Sequence, residues 1–188
     1  MMPQYDYSLL KSVGNDVVIS AYAEIRRPNL VRIGNHVAID TAFITTAADI
    51  GDYAHIGPYV SIIGGAKGLF TMGRFTNLAA GCRIICVSDR YNGDGLMGSA
   101  AVPEKYKDAV DVGPVAMNDF ANVGTNVVIM PGVTLAEGSV VGACSLVTIS
   151  TEPWTIYIGV PAKPLKSRPR EKMLRYAEAL GYPVKDDR

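Results

Sequence analysis

The sequence predicts an all-β fold of stacked coils, in which each coil is a triangle of three short strands. Three observations support this. Aliphatic residues recur at every sixth position through most of the 188 residues, many of them are followed directly by glycine, and the repeat stops after Ile84 and resumes at Met117. A spacing of six fits neither the 3.6-residue period of a helix nor the simple alternation of a strand, but it suits a short strand followed by a tight turn.

The repeated aliphatic residues are predicted to point into the triangle, one from each face. They are Val13, Ile19, Ile25, Ile33, Ile39, Ile50, Ile56, Ile62, Met72, Leu78, Ile84, Met117, Val123, Ile129, Leu135, Val141 and Val147. A β-sandwich of ordinary alternating strands would not produce the last six of these in unbroken succession. One coil cannot bury its own interior, so the coils must stack and the open ends need covers. Glycine after the aliphatic residue predicts a corner that needs either a positive φ or a close backbone approach.

The whole chain is predicted to form one domain. The expected segments are an N-terminal cover at 1–12, coils at 13–87 and 112–150, an inserted loop at 88–111, and a closing segment with a short helix at 151–188. The loop has no period and is rich in glycine and aspartate, and long loops of this kind in compact domains are usually functional. The helix is expected to have Pro169 in its first turn and Gly181 just after its end.

Composition excludes several classes of partner. The chain has 18 basic and 18 acidic residues, and this balance argues against a nucleic acid bound through bulk charge. No apolar run reaches the ~18–20 residues that a membrane span needs. The N-terminal residues lack the basic and apolar regions of a signal peptide, which favours a cytoplasmic protein. Cys82, Cys86 and Cys144 form no CxxC motif, and we expect all three to be reduced and buried.

The strongest motif is the segment VGTNVVIMPGVTLAEGSVVGACSLVT at 123–148, followed by YIGVPAKPLK at 157–166. It resembles the hexapeptide-repeat acyltransferases, in their sugar O- and N-acetyltransferase branch. The resemblance implies a left-handed parallel β-helix, an exception to the usual right-handed crossover. It also implies acetyl-coenzyme A or another acyl-coenzyme A as co-substrate, and a homotrimer with the active site between subunits. In that family the extended loop shapes the acceptor site.

The resemblance places a catalytic histidine near the start of the loop, but this chain has Asp89 there, in the run VSDRY. A carboxylate with an ordinary pKa of ~3.9 is a poor base for a hydroxyl, whereas an amine loses its proton near neutrality. We therefore expect an amino group as acceptor, held by Asp89, which could take its proton if burial raised the pKa. Asp89 could instead be a turn residue. His55 is the alternative base, from a coil position facing the same cleft.

Further residues are expected around the two substrates. The expected acceptor-binding residues are Asn77, Ser88, Tyr91 and Asp94. The resemblance implies that pantetheine runs along the coils past small residues. The expected donor-binding residues are Gly124, Thr125, Gly142, Ala143, Pro161, Ala162, Lys163, Lys166 and Arg168. The three cationic residues among them suit the phosphates of coenzyme A. Two isolated histidines cannot build a zinc site, so no metal is expected.

The function that follows is coenzyme A-dependent transfer of an acetyl or other short acyl group to an amino sugar, expected to be nucleotide-linked. A sugar O-acetyltransferase is the first alternative. A non-enzymatic β-helix scaffold is the second, although a pure scaffold would need neither the loop nor the basic closing segment.

Overall fold

The computed structural model describes residues 5–183. Three parallel sheets form the faces of a triangular prism, and each coil contributes one strand to each face. The first face contains β1 (Ser12–Val13), β4 (Val31–Ile33), β7 (Ala47–Ile50), β10 (Leu69–Met72), β15 (Val115–Met117) and β18 (Thr134–Leu135). The second contains β2 (Val18–Ile19), β5 (Ala38–Ile39), β8 (His55–Ile56), β11 (Asn77–Leu78), β16 (Asn122–Val123), β19 (Val140–Val141), β21 (Thr155–Ile158) and β22 (Lys163–Ser167). The third contains β3 (Glu24–Ile25), β6 (Phe43–Ile44), β9 (Ser61–Ile63), β12 (Arg83–Ile85), β17 (Val128–Ile129) and β20 (Leu146–Val147).

The remaining elements lie outside the regular coils. They are the hairpin strands β13 (Val87–Asp89) and β14 (Val110–Val112), three 3-10 turns at Tyr7–Leu9, Pro28–Leu30 and Glu104–Tyr106, and the helix α1 (Glu171–Ala179). Strand β22 pairs antiparallel with β21 and closes the second face. The predicted all-β coil fold, with an extended loop and one short C-terminal helix, is confirmed.

The core is a single column of the repeated aliphatic side chains. All of them are buried except Val13, which is 38% exposed. Val13 lies in the first coil, where a neighbouring coil covers it on one side only. Val13 is the register partner of the buried Ile33, so it keeps the inward position, but its exposure shows that the end coil is only partly covered.

The repeat glycines are explained by close approach of neighbouring coils. A Cβ on Gly124 would lie 2.7 Å from the backbone nitrogen of Ala143, and one on Gly142 would lie 2.7 Å from Cγ2 of Ile158. Neither glycine has a positive φ. Of the two explanations that the sequence left open, the close approach of the next coil is the one that holds for these two glycines.

One corner of the prism carries a stack of rings, which we call the aromatic ladder. Its members, all with positive φ, are His36, Tyr53, Phe75, Phe120 and Trp154. Successive ring centroids lie 4.5, 5.1, 5.2 and 5.7 Å apart. A positive φ costs a non-glycine residue about 1–2 kcal/mol, whereas an aromatic pair is worth about 0.5–1.5 kcal/mol beyond its buried area. Stacking therefore offsets much of the backbone strain at this corner.

The ladder has one gap, which Gly138 explains. Gly138 occupies the corner between Phe120 and Trp154, and a Cβ there would penetrate the indole ring of Trp154. Trp154 thus fills the space of the missing side chain and continues the stack.

The C-terminal segment packs against the ladder. The ring of Tyr182 meets Tyr53 and Phe75 edge-on, with centroids 5.6 and 5.2 Å away. Pro169 precedes the helix instead of lying in its first turn, and Gly181, with φ of +85°, follows its end as expected. Residues 184–188 of the predicted closing segment lie outside the described residues.

The N-terminal residues lie over the first coil. The Tyr7 hydroxyl donates a hydrogen bond of 3.1 Å to the carbonyl of Val17 and accepts one of 3.4 Å from the amide of Ile19. Leu10 is buried in the core. Residues 1–4 of the predicted cover lie outside the described residues.

Two of the three cysteines are buried as expected. Burial raises the thiol pKa of Cys82 and of Cys86, which keeps both protonated. Cys144 is exposed, so the expectation of burial was wrong for this residue. It occupies a corner with φ of +59°, where its side chain projects away from the core.

Candidate active site

The inserted loop leaves the prism as a hairpin after β12. Its strands β13 and β14 pair antiparallel, with Ser88 opposite Asp111. Arg90 Nε donates a hydrogen bond of 2.6 Å to Asp111, an exposed ion pair across the hairpin. Asp108 is buried, and its carboxylate accepts a hydrogen bond of 3.0 Å from the amide of Asn92. The loop therefore has an internal backbone framework of its own.

Asp89 is the last residue of β13 and is half-buried. Its Oδ2 accepts a hydrogen bond of 3.0 Å from the backbone amide of Gly98. Among residues 5–183, no group donates a hydrogen bond to its Oδ1 and no cation pairs with it. This carboxylate is thus held from one side by a neutral donor and keeps one oxygen available.

The other predicted loop residues surround Asp89 in sequence but make few contacts. Ser88 Oγ donates a hydrogen bond of 3.1 Å to the carbonyl of Asp89. Tyr91 is 75% exposed with φ of +55°, and Asp94 is exposed. These side chains are open to a ligand approaching the loop.

His55 lies on the second face, and both of its ring nitrogens face oxygen atoms. Nδ1 is 2.9 Å from Oδ1 of Asn77, which is its register partner on the next coil, and Nε2 is 3.2 Å from Oδ2 of Asp40. The oxygen and nitrogen of an amide are assigned from such networks, so the Asn77 amide can serve Nδ1 as acceptor or donor. In either case no ring nitrogen is left without a partner.

One chain does not bring His55 and Asp89 together. The hairpin leaves from the third face, after β12, whereas His55 and Asn77 project from the second face. None of the hydrogen bonds within residues 5–183 joins Asp89 to either of them. The two candidate bases therefore lie on different sheets of a single chain.

The small residues predicted for the donor lie where the second face turns into the third. Thr125 and Ala143 are exposed on neighbouring coils, and the amide of Cys144 donates a hydrogen bond of 2.9 Å to the carbonyl of Thr125. Pro161 is exposed, but Ala162 is buried and its amide donates a hydrogen bond of 2.7 Å to the carbonyl of Leu146. The side chain of Ala162 therefore belongs to the core and not to a donor surface.

The predicted cations divide into two kinds. Lys163 and Lys166 are exposed on β22 and form no ion pair within residues 5–183. Arg168 instead donates hydrogen bonds of 2.8 and 2.9 Å to the carbonyls of Phe120 and Gly138, and burial lowers its pKa. Arg168 fastens the closing segment to the prism, and this contact accounts for its presence without a ligand.

A groove of about 970 Å³ lies on the first face, lined by charged residues that include Arg32, Asp49, Arg74 and Asp119. None of the predicted site residues lines it. Within residues 5–183, no group of three or more histidine, cysteine, aspartate or glutamate side chains could hold a metal ion. No helix in the same range is long and apolar enough to cross a membrane.

Comparison with known proteins gives a consistent result. No protein-family model matches the chain. The chain is 34% identical over 165 residues to the dTDP-4-amino-4,6-dideoxy-D-glucose acyltransferase of Escherichia coli, covering 86% of this chain and 84% of that protein. It is also similar to AntD, an N-acyltransferase from Bacillus cereus solved with dTDP and 3-hydroxybutyryl-CoA, with a TM-score of 0.86 and 32% identity over 96% of this chain and 98% of that one.

The chain belongs to the hexapeptide-repeat acyltransferases that act on sugars. The coils of this acyltransferase are left-handed, as the resemblance implied. Another structure of AntD, a variant with dTDP-4-amino-4,6-dideoxyglucose and coenzyme A bound, matches with a TM-score of 0.88 and 33% identity over 96% of this chain and 98% of that one. Family membership decides against the scaffold hypothesis.

The structure of the acyltransferase adds two residues that the sequence did not single out. Asp40 follows the inward Ile39 and reaches His55 on the next coil, a contact that strand register could have revealed. Gly98 supports Asp89, but nothing in the sequence distinguishes it from the other glycines of the loop.

Proposed function

We propose that this acyltransferase moves a short acyl group from an acyl-coenzyme A to the amino group of a nucleotide-linked amino sugar, with dTDP-4-amino-4,6-dideoxyglucose as the first acceptor to test. The observation that carries the proposal is the carboxylate of Asp89, half-buried at the root of the loop with Oδ1 available. Similarity over nearly the full length supports the choice of acceptor, because one relative is named for a dTDP-linked amino sugar and one similar structure has such a sugar bound.

Asp89 serves the amine in this proposal. The amine nitrogen attacks the thioester carbonyl carbon, a C–N bond forms, the C–S bond breaks, and coenzyme A leaves as its thiol with the proton that the amine gives up. Oδ1 of Asp89 accepts a hydrogen bond from the amine and directs its lone pair at the carbonyl carbon. Orientation of this kind contributes strongly to rate because it replaces a chance encounter by a fixed geometry.

His55 is less suited to act as the base. Both of its ring nitrogens already face oxygen atoms, of Asn77 and Asp40. A hydroxyl acceptor would need a base with a free lone pair, so the occupied ring favours the amine over the hydroxyl. Asn77, Ser88, Tyr91 and Asp94 are proposed to contact the acceptor.

The donor is proposed to lie along the corner between the second and third faces. Backbone groups of Gly124, Thr125, Gly142 and Ala143 would border the pantetheine arm, with Pro161 at its end. The exposed ammonium groups of Lys163 and Lys166 are available for the phosphates because no carboxylate within residues 5–183 pairs with them. Arg168 and Ala162, which are held in the closing segment, take no direct part.

The complete site is proposed to form in a homotrimer in the cytoplasm. In one chain Asp89 lies on the hairpin that leaves after β12, His55 and Asn77 lie on the second face, and the groove of the first face contains none of them. A second copy packed beside the first would bring the loop of one chain against the second face of its neighbour. Sedimentation should give three times the 20.1 kDa of one chain, and a monomer would refute the shared site.

The chemical test compares matched acceptors. We expect efficient acylation of the dTDP-linked amino sugar and little transfer to the corresponding hydroxyl sugar, because an unassisted hydroxyl stays protonated at neutral pH. Products are identified by mass at saturating acyl-coenzyme A. Transfer to the hydroxyl sugar that is lost in His55→Ala would refute the proposal and favour the O-acetyltransferase alternative.

The role of Asp89 has its own test. Asp89→Asn and Asp89→Ala should lower kcat by about tenfold or more while the Kd for coenzyme A stays within about twofold, since the residue serves the acceptor. Glu104→Gln is the control, because it removes an exposed carboxylate from the same loop, one that forms its ion pair with Lys107. Wild-type rates in both Asp89 variants would remove Asp89 from the mechanism.

A further inference from the structure

Gly98 lies in close contact with the carboxylate of Asp89. The Gly98 amide donates its hydrogen bond to Oδ2, and an ideal Cβ on Gly98 would lie 2.5 Å from Oδ1 and 3.2 Å from Cγ of the same carboxylate. The Asp89 side chain thus occupies the space where any other residue at position 98 would carry its side chain. Because the clash would fall on the end of a flexible side chain, it would displace the carboxylate and not the backbone.

The loop framework places Gly98 independently of Asp89. Two residues earlier, the amide of Leu96 donates a hydrogen bond of 2.7 Å to the carbonyl of Tyr106, and the carbonyl of Leu96 accepts one of 2.7 Å from the amide of Asp108. Asp108 is buried, so this part of the loop is fixed by hydrogen bonds to a buried residue. The backbone at Gly98 therefore has a defined position from which to hold Asp89.

The charges of the hairpin point to the same role. Arg90, the residue next to Asp89, pairs with Asp111 on the opposite strand and leaves Asp89 without a cation among residues 5–183. An arginine that formed an ion pair with Asp89 would compete with the acceptor amine for the carboxylate oxygens. A neutral backbone donor orients the carboxylate and leaves its charge for the substrate.

We infer that Gly98 is a positioning residue for the reaction: its amide and its missing side chain together set the orientation in which Asp89 presents Oδ1 to the acceptor amine. The inference rests on the proposed function and deepens it. The contact with the carboxylate explains why position 98 carries glycine although its φ is not in the left-handed region.

The test is a double-mutant cycle on the full chain. Gly98→Ala is expected to lower kcat by about tenfold or more with an unchanged Kd for coenzyme A, because small misplacements of a reacting group are costly. In the Asp89→Asn background the same substitution should change kcat by less than about twofold, since residues that act through one another are not additive. Gly93→Ala is the control: a Cβ there meets open space in the same loop, and its φ of +88° adds the backbone strain of an alanine without any contact with Asp89.

Three outcomes would overturn the inference: a wild-type kcat in Gly98→Ala, the same loss of kcat in both backgrounds, or an equal loss in Gly93→Ala. A second readout does not depend on chemistry. The Gly98 amide resonance should move in Asp89→Asn while that of Gly93 does not, and an unmoved Gly98 resonance would also overturn the inference. If wild-type protein acylates no amino sugar, the proposed function fails, and the resonance shift still decides whether Gly98 holds the carboxylate.

Discussion

The phenol of Tyr182 donates a hydrogen bond of 2.8 Å to Oδ2 of Asp52, joining two residues that lie 130 positions apart. Oδ1 of Asp52 accepts two more, of 2.7 and 3.2 Å, from the backbone and side-chain amides of Asn35. The guanidinium of Arg74 lies 5.5 Å from the centre of the Tyr182 ring. The last described turn of the chain is thus fastened to the second and third coils, beside the aromatic ladder.

This contact predicts a stability difference that depends on pH. Burial alone would raise the pKa of Asp52, but the hydrogen bonds from Asn35 and Tyr182 outweigh it and hold the pKa below its usual range. The stabilisation from Asp52 is therefore present above its unfolded pKa of ~3.9 and is lost as pH falls through the lower folded value. The hydrogen bond to Asp52 raises the pKa of Tyr182, so the stabilisation from the phenol persists below ~10 and is lost at higher pH.

Tyr182→Phe should accordingly lower the free energy of unfolding at pH 7 while keeping the ring contacts. Urea denaturation over a pH series measures the difference from wild type, which should shrink toward both the acidic and the alkaline end. A difference that stays constant from pH 3 to pH 11 would contradict the assignment to this pair. Tyr176→Phe is the control, because Tyr176 is exposed on α1 and its hydroxyl makes no hydrogen bond within residues 5–183.

The gap in the aromatic ladder predicts a second stability effect. Gly138→Ala and Gly132→Ala both place alanine at a positive φ, +65° and +80°, which costs about 1–2 kcal/mol. Only at Gly138 does the new methyl group meet the ring of Trp154, whereas at Gly132 it meets open space. Gly138→Ala should therefore be the more destabilising by a further ~1–3 kcal/mol, the usual cost of overpacking. Equal losses in denaturant midpoint would show that the ring moves aside freely.

The lysines proposed to bind the donor, Lys163 and Lys166, should affect coenzyme A binding and not the stability of the fold. The double variant Lys163→Ala with Lys166→Ala should weaken coenzyme A binding about fivefold, since exposed ion pairs are worth ~0.2–1 kcal/mol each. The loss should be smaller for a donor lacking the 3′-phosphate if one lysine binds that group. Isothermal titration measures both, and an unchanged Kd would exclude these lysines.

Arg168 should behave in the opposite way. Arg168→Gln removes hydrogen bonds to the carbonyls of Phe120 and Gly138 and is expected to lower the free energy of unfolding with little change in coenzyme A affinity. A hydrogen bond from a charged donor contributes about 1.5–3 kcal/mol. Loss of coenzyme A binding without loss of stability would instead assign Arg168 to the donor site, as the sequence predicted.

Thiol labelling should separate the three cysteines. Cys144 is exposed and should react with an alkylating reagent in the native protein, whereas Cys82 and Cys86 are buried with raised pKa values and should react only after unfolding. Mass spectrometry should show one adduct on native protein and three in denaturant. Cys144→Ser should show none when native, and any native adduct on this variant would contradict the described burial.

The sequence by itself determined the architecture. A six-residue period dictates which side chains point inward, and the structure buries every repeat residue from Ile19 to Val147. The break in the period located the loop, and Asp89 stood out because the resemblance places a catalytic histidine at the start of that loop. These features are local: each depends on a side chain and its immediate neighbours, and a period needs no knowledge of which coil lies above which.

Only the tertiary structure decided what the remaining residues do. The aromatic ladder joins residues from coils that are 17 or more positions apart, such as His36 and Tyr53, because stacking places equivalent corners one above another. The same stacking brings the backbone of the next coil close to Gly124. It also places two carbonyl groups within hydrogen-bond distance of Arg168. Gly98 became meaningful only when the loop folded back on Asp89. A repeat pattern specifies which residues face the core, but contacts between corners, loop and closing segment depend on distances that arise only when the coils pack.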